Sequence, residues 1–333
     1  MKSTPKRHHW WPTCHSELWV DGEGCITMTN AAGEIRRTQP VNTAVIGHYN
    51  SIWRADGTRD STLETFFANE VEGPAGPVLG RLATQKRRDY QLEQKYDKSF
   101  LRAEGKNIKR DGFVPDERAF SAVLSPGDRW TLSRYIASLM VRIPSYKDAL
   151  NSNHMVQNIA AVLGLKSDEA RFETDALHVG IIREHLEDYA GRIHKCALIL
   201  IDAPDEEEFV IGDTPVIPAA LGFGEAEAVC PISPRRALLV INGFRAPFSD
   251  RIAVFRCLRR TVRGFNRAMV QNAEREIFSR SPVSALFVTK NLGTRRARLV
   301  PTVTTAARGD RSGRGPMLDR RAVRRTATDV DAI

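Results

Sequence analysis

The chain has 333 residues, 42% hydrophobic and 27% charged, with a formal net charge of +9 at pH 7. That is the composition of an ordinary globular protein with a sizeable core, built as one large domain or two small ones. No run approaches the roughly 18 consecutive apolar residues of a membrane span, and the basic first residues lead into His8-His9-Trp10-Trp11-Pro12 rather than an apolar leader, so a soluble, cytoplasmic protein without a membrane partner is expected.

The charge is unevenly placed. From Gly293 to Ile333 there are ten arginines against four aspartates, a net of six positive charges, which leaves three of the nine on residues 1–292. The five cysteines, Cys14, Cys25, Cys196, Cys230 and Cys257, are odd in number and scattered. They form neither a disulfide framework nor a four-cysteine zinc pattern and read as small buried hydrophobes.

The N-terminal part predicts short strands. A hairpin is expected over Leu18–Met28, with Gly22 and Gly24 in its turn, a second turn at Ala31–Glu34, and a strand within Val41–Trp53. A helix opens at Asp60–Glu64, capped by Asp60 or Ser61. Pro74 and Pro77 then interrupt or restart it. Residues 85–118 are charged and poor in aliphatics, an exposed helix or a mobile insertion. Helices are predicted over 129–142, 145–163 and 169–195. Apolar runs 197–201, 209–211 and 237–241 are too short for helices and read as buried strands. A long helix is expected over 250–279, and past about Asn291 periodicity ends and a disordered Arg-rich tail, 291–333, is expected. The fold class is α+β: a central mixed sheet of N-terminal and C-terminal strands, with the helical middle packed on it, in one domain of residues 1–290.

Several segments together resemble the bacterial domain of unknown function 4238 family. They are Arg7-His8-His9-Trp10-Trp11-Pro12 with Ser16, Trp19, Asp21 and Gly24; Val41-Asn42 to Gly47-His48-Tyr49; Leu63-Glu64 with Glu72; Arg142-Ile143-Pro144; Phe209-Val-Ile-Gly-Asp-Thr-Pro-Val216; Cys230-Pro-Ile-Ser-Pro234; and Phe265-Asn266. The resemblance covers about residues 6–285 and carries no established reaction. Some members resemble components of anti-phage defence, which implies a toxic or nucleic-acid-directed activity at the level of the family.

The strongest candidate site is His8, His9 and Asp213. Two adjacent imidazoles and a carboxylate at a strand end suit acid–base work at neutral pH or a divalent metal. Only one of His8 and His9 faces a given site, because neighbours on a strand point to opposite faces. The competing reading makes Asp213-Thr214-Pro215 a turn in which Asp213 holds backbone amides, and the histidines satisfied buried groups. Arg142 either clamps a phosphate or carboxylate or caps the last carbonyls of its helix. Glu64 and Glu72, eight apart and about 80° around a helix, either share a metal, or Glu64 serves as an N-terminal capping carboxylate. Ser233 reads as a turn residue, since no nucleophile elbow surrounds it. Asn266 anchors a turn or orients a site group. Cys14-His15 lacks zinc spacing, and Trp10 and Trp11 are wedged into a core rather than stacked on bases. P-loop and dinucleotide fingerprints are absent from the sequence. The tail offers a nucleic acid contact through phosphates. Two functions stay open: a hydrolase-like, nuclease-type effector using His8 or His9, Asp213 and Arg142, and a non-catalytic sensor or interaction module whose polar motifs are structural.

Overall fold

A computed structural model describes residues 7–53, 58–85, 113–114, 120–150, 156–157, 160–161, 164, 166–218, 226–241 and 251–294. Most of the charged stretch 85–118 and all of the sequence from 295 onward lie outside them.

The short apolar runs become a seven-stranded mixed sheet. Ala197–Asp202 and Arg236–Ile241 pair antiparallel at its centre, with Leu200 opposite Leu238. Both are buried along nearly their whole length, as strands covered on two faces are. Ala226–Ser233 joins Arg236–Ile241 across a tight turn, and Ile217–Pro218 follows outside it. On the other side Arg251–Cys257 lies parallel to Ala197–Asp202, and Phe120–Val123 and Phe113–Val114 pair antiparallel with it.

The strand Arg251–Cys257 corrects the helix expected over 250–279. Ile252 and Phe255 satisfy helical spacing, but Ile252, Val254 and Cys257 are buried while Arg256 is exposed, and the partner 197–202 wins the segment for the sheet. The helix is Arg259–Asn272, and the last residues of the expected helix form the strand Glu276–Ser279.

That last strand builds a second, antiparallel sheet in the order Ile211–Gly212, Glu276–Ser279, Ile26–Asn30, Ile35–Thr38. N-terminal and C-terminal strands therefore do join, through Glu276–Ser279 rather than through 197–202 or 236–241. Phe278 explains the choice: it is fully buried beneath Trp10 and Trp11, with ring centroids 5.9 and 4.9 Å away. Gly212 admits the end of the helix Arg259–Asn272, since a Cβ there would lie 3.0 Å from the Ala273 Cβ.

The hairpin expected at 18–28 sits further on, as Ile26–Asn30 with Ile35–Thr38, turning at the expected residues 31–34. Leu18 belongs to the 3₁₀ turn Glu17–Trp19, and Asp21 holds the next loop by accepting the amides of Glu23 and Cys25. In the helical middle, Pro126–Val141 starts with a capping box between Ser125 and Asp128 and packs against Ser167–Lys195 and Gly73–Thr84. An α-helix restarts at Gly73 with Pro74 in its first turn, and Pro77 lies inside it. No helix among the described residues is long and apolar enough to cross a membrane.

Candidate functional site

The N-terminal motif is a strand edge. Arg7–His9 pairs antiparallel with Val45–Gly47, placing His8 opposite Ile46 and His9 opposite Val45. Strand alternation separates the imidazoles as expected: His8 is fully buried and His9 half-buried. His8 Nδ1 accepts the Asn50 amide at 2.8 Å and lies 3.7 Å from Glu64 Oε2, which also accepts from Asn50 Nδ2 at 2.5 Å. His9 Nδ1 donates to the Thr43 carbonyl at 3.0 Å. Ala44 and His48 bracket Val45–Gly47 with left-handed φ values of 55° and 56°. Residues with side chains seldom adopt these, and the two turns fold the expected strand 41–53 into short pieces and bring Asn50 under His8.

Arg142 is the hub beneath this edge. Its side chain is 1% exposed, with Nη1 on Glu72 and Nη2 donating to the His9 carbonyl, and its guanidinium lies 4.3 Å from the Phe67 ring centroid. Its own carbonyl accepts from the Tyr49 hydroxyl at 3.1 Å. Burial works against the charge, but Glu72 and Glu64 outweigh it and hold the guanidinium protonated. Arg142 thus clamps a carboxylate and a carbonyl of its own chain. Glu64 does not serve as the helix cap: Asp60 accepts the Thr62 amide at 2.7 Å, and the Ser61 side chain caps nothing. A π-helical stretch, Phe67–Glu72, lies between Thr62–Phe66 and Gly73–Thr84, so the 80° separation of Glu64 and Glu72 does not apply.

Asp213 follows the strand Ile211–Gly212 and is 2% exposed. Its two carboxylate oxygens accept the amides of Glu274 and Arg275, each at 2.6 Å, and its own amide donates to the Glu276 carbonyl. Burial pushes its carboxyl up to about 7, against the pull of the two amides. Among the described residues no imidazole partners it. The acid locks the loop after the helix Arg259–Asn272 onto the second sheet. Its neighbourhood still borders the N-terminal motif, since the Tyr49 phenol feels Asp148 and Arg142 as well as Glu274 and Arg275.

The other sequence candidates make contacts within the chain. His15 is buried, receiving the Tyr135 hydroxyl on Nδ1 and donating Nε2–H to the Pro231 carbonyl, each at 3.0 Å. Ser233 ends a strand beside the turn to Arg236, buried and unpaired at Oγ among the described residues. Asn266 anchors a turn, accepting from the Val210 amide and donating to the Glu208 carbonyl. Cys14 is pushed up to about 12 by burial and by Glu72, which leaves it a thiol. No group of three or more His, Cys, Asp or Glu among the described residues is arranged to hold a metal ion. Two participants were not foreseen, the Asn50 bridge and the Tyr135–His15 link. Both pair residues far apart in sequence, and only the turn-forming composition of 47–51 hinted at the first.

Comparison with curated proteins and with solved structures finds no match. A family match does exist, to the proteins of unknown function called DUF4238, and it spans residues 7–282, from the His8 strand to the loop beyond Phe278. The match covers most of the chain, and the chain belongs to the DUF4238 family.

Proposed function

We infer that the chain is a non-catalytic sensor or interaction module whose polar motifs act as latches. One observation carries this reading: His8, His9, Arg142 and Asp213 each commit side-chain polar atoms to the main chain of a distant segment. A catalytic group needs a free lone pair or proton facing a cleft. These groups instead tie residues 7–9 to 43–50, residue 142 to the N-terminal strand, and residue 213 to 274–275.

The test compares the wild type with Asp213→Asn and His9→Ala, expressed at equal folded yield in bacteria. Cell toxicity and phage protection are scored, and the purified proteins are incubated with DNA and RNA. Latches predict no cleavage by any form, and phenotypes that follow folded yield. Cleavage by the wild type that vanishes in either well-folded variant would refute the reading.

The hydrolase-like effector, of the nuclease type and in a defence role, keeps one observation in its favour. His8 and Glu64 approach within 3.7 Å, and the Glu64 side chain retains 15% exposure. In that reading Glu64 is the solvent-facing member of an acid–base pair, and Glu64→Gln abolishes turnover while leaving the fold intact.

A further inference from the structure

The helix Arg259–Asn272 carries four arginines and no acid, Arg259, Arg260, Arg263 and Arg267, and Arg256 from the preceding strand joins them. All five are exposed. At 100° per residue the four helical arginines fall within an arc of about 100°, and Arg260 and Arg267 stand about 10 Å apart along the axis. The opposite face is spent, because Val262, Phe265 and Met269 are buried in the core.

Counter-charge covers only one side of the stripe. Glu207 takes Arg259 at 2.5 Å and Arg263 at 2.9 Å, and Asp205 lies 3.6 Å from Arg256. Arg260 and Arg267 form no ion pair with the described residues. Where the described chain ends, it lies against this same helix: the Gly293 amide donates to the Val270 carbonyl at 3.1 Å. The sequence that follows holds ten arginines.

We propose that the arginine stripe of the helix Arg259–Asn272 binds the phosphate backbone of a double-helical nucleic acid. This rests on the interaction-module reading and names its partner. Guanidinium groups suit phosphate oxygens. A single strand calls for aromatic stacking platforms, and the stripe has none, Phe265 being turned into the core. A lipid surface calls for an amphipathic helix with its apolar face available, and here that face is already packed.

The experiment is fluorescence anisotropy of the full chain with a short labelled DNA duplex across a salt titration. Affinity should fall linearly in a log–log plot, and the Arg260→Gln/Arg267→Gln double variant should lose about 2 from the slope, two phosphate contacts at about 0.9 each. Both residues are exposed, so circular dichroism should show an unchanged fold. A full chain whose tail arginines are all glutamine should still respond to the double substitution. The proposal is overturned by no binding, by an unchanged slope in the double variant, or by equal affinity for a single strand or for phosphatidylserine vesicles. A duplex that is bound and then cut, with cutting lost in Glu64→Gln, would sink the non-catalytic reading alone; absence of binding would sink this inference alone.

Discussion

His15 makes the protein acid-sensitive in a defined window. Its ring packs against Trp11 and Trp19, at centroid distances of 5.5 and 6.5 Å, with both nitrogens bonded inside the core. A carbonyl on Nε2 fixes the proton there, so Nδ1 must accept from Tyr135. Burial lowers its pKa from 6.5 to about 4, against the smaller opposing pull of the Pro231 and Ile232 main chain. Unfolding frees the imidazole to take a proton that the folded state refuses, so stability is intact above about pH 6.5 and falls as pH drops toward about 4. A shift of about 2.5 units at 1.36 kcal/mol each is worth about 3 kcal/mol. The assay is urea unfolding of wild type and His15→Gln, read by tryptophan fluorescence at about pH 7.5 and about pH 4.5, where most of that stability is already lost. At the higher pH the variant should be less stable by about 2 kcal/mol, since an imidazole bonded on both sides is replaced. At the lower pH the gap should close or reverse, because glutamine does not titrate. Parallel curves across the whole range would refute the reasoning.

Further outcomes follow from the latches and the surface. Asp213→Asn puts an amide group against one of two backbone N–H donors and should cost about 2–3 kcal/mol by thermal unfolding. Arg142→Lys keeps the charge but cannot reach Glu72 and the His9 carbonyl together, and should cost about 2 kcal/mol in the same measurement. Glu207→Gln releases Arg259 and Arg263 and should steepen the salt slope of duplex binding by about 2. Iodoacetamide at neutral pH should label half-buried Cys25 first, with Cys14, Cys230 and Cys257 reacting only on unfolding, as peptide mass spectrometry would show.

The inner strands were legible because Leu198 to Ile201 and Leu238 to Ile241 are continuous apolar runs with no helical alternative of sufficient length. Residues 252–257 were not, since Ile252 and Phe255 fit either period and only the neighbouring strand decides. Trp10 and Trp11 lie in the core, where their place beside Pro12 suggested. Asp213 showed its turn chemistry in Asp-Thr-Pro, but the sequence could not reveal that the amides it holds lie some sixty residues later. Glu64 read as a cap because Ser61 stands three residues before it; the structure gives it to Asn50, a partner set by the left-handed turn at His48.

The strand Glu276–Ser279 lies between Ile26–Asn30 and Ile211–Gly212. On the ribosome the first hairpin therefore leaves the exit tunnel with one edge open and waits about 250 residues for its neighbour, roughly 12–50 s at usual elongation rates. During that interval Trp10 and Trp11 lack the phenylalanine that covers them in the finished protein. Nascent chains stalled short of Phe278 should be favoured clients of holding chaperones, and completing that strand should release them.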